Sequence, residues 1–129
     1  MSEPARTIQA LYDAFAKGDI PTVLGALTET TTWTEADGFP YAGTYVGPAA
    51  ILEGVFKRLG TEWEGWTAVP DELVAEGDTV VALGEYRGTY RATGKSIAAP
   101  FVHVWKLKGP QVTSFRQVTD TVLVQRALG

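Results

Sequence analysis

From Thr61 to Thr119 the chain is written almost wholly in the chemistry of β-strands, and a stretch that long leaves few architectures open. Thr61 to Ala75 carries Trp63, Trp66 and Val69 and ends at the turn Glu76-Gly77-Asp78. Thr79 to Tyr90 is a second run, closed by Ala92-Thr93-Gly94-Lys95. Ser96 to Leu107 is a third, and Lys108-Gly109-Pro110 turns the chain into the last, Gln111 to Thr119. Turns this short join neighbours antiparallel, so the expectation is four long antiparallel strands with no helix between Thr79 and Leu107.

The residues before Gly60 have a different period. Ile8, Leu11, Tyr12 and Phe15 recur at helical spacing within Pro4–Lys17, with Ser2 and Pro4 as a start signal. Gly18 ends that helix, and Asp19 caps a short second one with Pro21 in its first turn. Thr30 to Glu35 reads as a strand around Trp33. Ala36 to Gly47 reads as a loop with a short strand near Thr44–Val46. A third helix is expected from Pro48 to Leu59, stopped by Gly60. Helices first and strands last define an α+β fold in one domain, 1–129. A strongly bent antiparallel sheet with three helices on its concave side would enclose a pocket and leave one cup-like end open.

The balance of 45% hydrophobic and 20% charged residues is globular. A net charge of -4, with the basic residues scattered, argues against nucleic acid or an anionic membrane as partner. The absence of cysteine removes disulfides, thiolate metal sites and thiol nucleophiles. The N-terminal residues lack the apolar run of a secretory signal, and no run approaches membrane-spanning length, so the expected location is the cytoplasm. Four Trp, five Tyr and five Phe are enough to line a small-molecule pocket as well as fill a core.

Several local runs match a known pattern in order and spacing. They are Leu11-Tyr12-Asp13-Ala14-Phe15-Ala16-Lys17-Gly18-Asp19, then Gly43-Thr44-Tyr45-Val46-Gly47 opening the third helix, then Thr93-Gly94-Lys95, His103 inside a strand, and Asp120 ahead of Leu128-Gly129. Over nearly its whole length the chain resembles the SnoaL-like polyketide cyclases and ketosteroid isomerases of the NTF2-like superfamily. The resemblance implies a cone-shaped fold with an internal pocket and a homodimer packed sheet on sheet. The superfamily's activities range from isomerases, dehydratases and cyclases to non-catalytic binders, so function must be read from the site.

Counting without gaps from Asp19, Glu35 falls where ketosteroid isomerases carry their general-base Asp. At the edge of an apolar pocket its pKa would be raised toward neutrality; at an exposed strand end beside Asp37 it would be inert. His103, the one histidine, lies in the apolar run Phe101-Val102-His103-Val104-Trp105. By resemblance it stands at an isomerase oxyanion-hole position and at a cyclase pocket histidine. It could donate to an enolate or shuttle a proton, or be a core histidine satisfied by a carbonyl or a Tyr. Strand alternation puts Phe115, Gln117 and Thr119 on one face and Ser114, Arg116 and Val118 on the other. Gln117 stands where the cyclases have their acid/base Asp and cannot take a proton. Asp120 falls on the opposite face and reads as structural, capping the C-terminal segment or pairing with Arg116 or Arg126. The isomerase oxyanion Tyr aligns with Leu11; Tyr12 lies about 100° round the helix and would reach the pocket only if the helix is rotated.

One histidine and no cysteine support no metal site. The glycines belong to strands and turns rather than to a phosphate loop. The resulting expectation is a cofactor-independent pocket protein acting on a small apolar carbonyl or hydroxyl compound by proton transfer: isomerisation, dehydration or cyclisation. Glu35 and His103 would be catalytic, Tyr12 and Gln117 would orient the ligand, and Trp33, Trp105 and Phe115 would supply apolar wall. The rival is a non-catalytic ligand-binding or dimerisation module of the same fold.

Overall fold

A computed structural model describes residues 1–129. The first helix, α1 (Glu3–Ala16), begins where Ser2 accepts from the Ala5 N–H, and turns Ile8, Leu11 and Tyr12 inward. Asp19 caps α2 (Ile20–Gly25) through Thr22, as its position before Pro21 implies. Strand β1 (Leu27–Glu35) starts three residues earlier than the β-branched run alone indicated, and β2 (Gly43–Val46) pairs with it antiparallel.

The next helical rod departs from expectation at its end. It comprises α3 (Pro48–Ile51), a π turn over Leu52–Phe56 and α4 (Lys57–Glu62), so it runs through Gly60. The chain leaves helical backbone only at Trp63, whose buried side chain lies opposite Tyr90 in the sheet. Burial of that indole, rather than the glycine, sets the boundary. Gly54 has a separate role: a Cβ there would overlap the Tyr45 ring, so β2 packs directly on the rod's backbone. The π turn, which shifts a helix face by about one residue, places Val55 and Phe56 inward.

The four strands after the rod are β3 (Trp63–Glu76), β4 (Thr79–Tyr90), β5 (Ser96–Lys108) and β6 (Gln111–Thr119), antiparallel throughout as the turns require. Gly77 (φ 56°) and Gly109 (φ 59°) supply the left-handed turn positions that other residues adopt at a cost. The sheet order is β2-β1-β6-β5-β4-β3. The rod carries the chain from one edge of the sheet to the other, and the meander then returns to lie beside β1. That return makes β1 and β6 a parallel pair within an otherwise antiparallel sheet. A final helix, α5 (Thr121–Leu128), had no counterpart in the strand and helix patterns of the sequence. Asp120 caps it by accepting from the Leu123 N–H, so the structural reading of Asp120 holds and it forms no ion pair.

Alternation along the strands defines the concave face. On β5, Ile97, Ala99, Phe101, His103, Trp105 and Leu107 all point inward and are buried. On β6, Phe115 and Gln117 are buried while Arg116 and Val118 are exposed, as the period of two requires. The sheet bends where β3 slips register between Pro70 and Glu72. Gly84 sits opposite that slip. A Cβ on it would overlap the Val69 carbonyl oxygen and lie 2.5 Å from Phe101 Cζ, so the bend demands glycine.

Candidate functional site

Cross-strand register builds the site in two rows on the concave face. Trp33 pairs with Phe115 and Phe115 with Trp105, placing three aromatics side by side. Two residues further along β1 and β6, Glu35 and Gln117 come level with His103, which pairs with Gln117 and with Ala82. The small Ala82 leaves room beside the imidazole. Helix α1 and the rod close the other side with Leu11, Tyr12, Phe15, Val55, Phe56 and Leu59. The cavity is about 50 Å³, above the roughly 10–15 Å³ one water needs, and its wall is mostly apolar or aromatic.

All seven residues singled out from sequence line this cavity: Tyr12, Trp33, Glu35, His103, Trp105, Phe115 and Gln117. Tyr12 does reach it, along with Leu11, because α1 turns both inward against the sheet. Tyr86, Trp66, Phe39 and Ala68 line it as well. Tyr86 shares its inward face with Val80 and Ala82. The period-two pattern of β4 therefore held that information, but an apolar alternation does not say which inward residue meets a histidine.

A hydrogen-bonded chain crosses the cavity wall. Trp105 Nε1 donates to Tyr12 Oη at 2.9 Å, and Tyr12 Oη lies 2.6 Å from His103 Nδ1. His103 Nε2 meets Tyr86 Oη at 2.5 Å. Gln117 Nε2 donates to that same Tyr86 oxygen at 2.9 Å. The Ala36 N–H donates to Gln117 Oε1 at 3.0 Å, which fixes the amide with its NH₂ toward the phenol. Both nitrogens of His103 are thus taken by tyrosines. Its polar contact with anything in the cavity runs through Tyr12 and Tyr86. Burial holds the imidazole neutral, lowering its pKa from 6.5 to about 3. Burial likewise pushes both phenols upward, so they stay protonated.

Glu35 is the exception in this satisfied network. It is only 4% exposed, and its Oε2 has no hydrogen-bond partner. Desolvation raises its pKa from 4.5 to about 8. Its negative form also raises the Tyr86 pKa, which ties it to the chain's Gln117 end. Trp33 Nε1, two residues earlier on the same face, is the other buried polar atom without a partner. Stacking on Phe115 at 3.8 Å and edge contacts to Phe56 and Trp105 hold the indole in place. One carboxyl and one fully engaged histidine give no ligand set for a metal, and no group of three His, Asp or Glu side chains gathers elsewhere. Chemically, the site sets one carboxyl able to exchange a proton beside a wall of aromatic rings.

A bent sheet folded over helices around such a cavity defines an NTF2-like pocket protein. The SnoaL-like domain family matches residues 8–115, and the chain belongs to that family, whose members bind small ligands. It is 40% identical to an NTF2-like protein of Burkholderia thailandensis, whose crystal structure superposes with a TM-score of 0.95 over 100% of this chain and 99% of that one. TerC, co-crystallised with polyporic acid, is 27% identical with a TM-score of 0.88, over 98% of each chain. Patulin synthesis protein F of Aspergillus clavatus is 33% identical over 93 residues, which are 70% of this chain and 46% of that protein. The chain therefore spans about half the length of the curated relatives it matches. No helix is long and apolar enough to cross a membrane.

Proposed function

We propose that this protein is a cofactor-independent enzyme that moves a proton on a small, flat, largely apolar carbonyl or hydroxyl compound, with Glu35 as the acid/base group. The observation that carries this reading is Glu35 itself: a buried carboxyl without a partner, on the wall of an aromatic cavity, with its pKa near 8. A structural carboxyl is normally either solvated or paired; one left bare pays desolvation with no return inside the free protein. A pKa near neutrality is what lets one group take a proton and return it at physiological pH. Tyr12, Tyr86, His103 and Gln117 form the rigid polar wall beside it, and Trp33, Trp105 and Phe115 hold the ligand's rings. TerC's crystallisation with polyporic acid makes that compound a first binding probe.

The test uses 1-indanone, a flat ketone with exchangeable protons next to its carbonyl. Its deuterium uptake in D₂O, followed by NMR, should be accelerated by the protein. Glu35→Gln should reduce that acceleration by about 10²–10⁴-fold, the usual worth of a positioned acid/base. Tight binding with no acceleration in the native protein would leave the non-catalytic binder as the better description.

We also propose that the protein pairs with a second copy through the outer face of its sheet. There Val74, Leu83 and Val118 are 50%, 38% and 48% exposed on neighbouring strands, with Val81, Val102 and Val104 half-buried between them. A contiguous aliphatic band of this kind is the sort of surface that a partner covers, and a two-fold axis is the commonest way to cover it.

A further inference from the structure

Strand β5 has no neighbour on one side of its first residues, and the gap forms a groove. The register fixes which residues border it. The Tyr90 N–H donates to the Lys95 carbonyl and the Leu107 N–H to the Asp78 carbonyl, with no slip in the β4–β5 pairing between them. The odd-numbered residues of β5 therefore turn their backbone groups toward β4, and the even-numbered ones toward β6. Thr119 of β6 lies opposite Phe101, and the next N–H, that of Asp120, donates to the Pro100 carbonyl. There the chain turns off into α5. Ser96 and Ala98, both exposed, are left with N–H and C=O groups aimed along the line that β6 has abandoned. No other backbone group bonds to them, and the Ser96 hydroxyl is turned to Thr89 instead.

Sheet edges are usually blunted by a proline, a charge or a covering helix. Pro100 does this at one position, since it has no N–H to leave bare. Helix α5 passes alongside but leaves a groove of about 420 Å³ between itself and Ser96–Ala98, within the roughly 300–1,000 Å³ of ligand sites. Its floor is aliphatic: Ile97 and Ala127 are buried and Leu123 is half-buried. Its charge runs against that of the molecule. The chain carries -4, yet no acidic side chain lines the groove, whereas Lys95 and Arg126 do. Neither takes part in the three ion pairs of the structure, and the Lys95 ammonium donates only to the Gly129 carbonyl.

We propose that this groove docks a short, extended, acidic peptide segment of another protein, which adds to β5 as an antiparallel strand in place of the missing end of β6. Two alternate residues of the segment exchange hydrogen bonds with Ala98 and Ser96. The residue between them lies opposite Ile97 and turns its side chain onto Leu123 and Ala127. Running in the direction of β6, the segment brings its C-terminal carboxylates to Lys95 and Arg126. Main-chain bonds of this kind supply affinity, and the alternating side chains supply specificity. None of these groove residues lines the aromatic cavity, so the site is separate from Glu35.

The probe is the peptide acetyl-Thr-Val-Thr-Asp-Asp, titrated into the full chain and followed by amide NMR. Saturable shifts should centre on Ser96 and Ala98, and hydrogen exchange at those two amides should slow by about tenfold or more at saturation. The same peptide N-methylated at both threonines cannot pair with an edge and should leave them unprotected. An amidated peptide with Asn for both Asp should bind about tenfold more weakly, as should the acidic peptide to Arg126→Glu. Arg126 is exposed, so that variant keeps the fold. Ala98→Pro removes one groove-facing N–H without breaking a bond to β4, and should lose the protection at Ser96. Unprotected Ser96 and Ala98 at millimolar peptide, or equal binding of the N-methylated or the neutral peptide, overturns the proposal. So does full affinity in both Arg126→Glu and Ala98→Pro.

Discussion

At Glu35, burial and the lack of a partner act together: the surrounding aromatics remove water, and no arginine, lysine or amide arrives to replace it. The proton therefore stays on the carboxyl up to about pH 8. Tyr86 is the complementary case, a phenol whose oxygen is held by both Gln117 and His103. Tyr86→Phe should remove the acceptor of the Gln117 amide and the partner of His103 Nε2, destabilising the fold by about 1–3 kcal/mol in urea titration. It should also let the His103 titration move, which NMR of this one imidazole can follow directly; an unaltered titration would mean the phenol does not govern the ring. At this scale the sequence was informative about residue type and face. Glu35, His103 and Gln117 are polar residues at inward positions, each two residues from an inward aromatic: Trp33, Trp105 and Phe115. It was silent on partners, because contacts such as Tyr12 to His103 span 91 residues and depend on how α1 is rotated.

At the scale of elements, the meander was readable because period-two alternation and glycine turns are local signals. The β1–β6 parallel pairing was not, because it follows from where the rod carries the chain. The rod's end was misplaced for a related reason: Gly60 is a local stop signal, and the tertiary burial of Trp63 outweighed it. Helix α5 is not legible although its Asp120 cap reads as structural, since eight residues with five of them Val, Leu or Ala give little periodicity to count. The bend at Gly84 makes the sharpest element-scale test. Gly84→Ala would press a methyl against the Val69 carbonyl and Phe101, with backbone on one side that cannot step away. The expected cost is about 2 kcal/mol or more, read as a lower denaturation midpoint. A neutral Gly84→Ala would show that the strand crossing is looser than the structure has it.

For the whole molecule, the two buried titrating groups give stability a distinctive pH dependence. Glu35 has a raised pKa, so its contribution is complete below about 4.5 and is lost as pH rises toward about 8. His103 has a lowered pKa, so its contribution is complete above 6.5 and is lost as pH falls toward about 3. Between 4.5 and 6.5 the two slopes oppose and offset each other, which places the pair's plateau there, with stability declining on both sides. Each arm is worth on the order of a few kcal/mol. Glu35→Gln should flatten the alkaline arm in thermal melts and leave the acid arm in place; retention of the alkaline arm would mean that Glu35 titrates normally. The outer sheet face supplies a second test at this scale. Sedimentation at micromolar concentration should show a dimer, and Val118→Glu combined with Leu83→Glu should yield a folded monomer. A native monomer would leave the aliphatic band without its proposed partner.

The most direct measurement is the pH profile of deuterium exchange into 1-indanone. Glu35 must be ionised to take a proton, so the rate should rise about tenfold per pH unit below the carboxyl's pKa and level off near 8. The same profile should be absent in Glu35→Gln. A rate that levels off near 4.5, or that Glu35→Gln leaves unchanged, would contradict the assignment of Glu35 as the group that moves the proton.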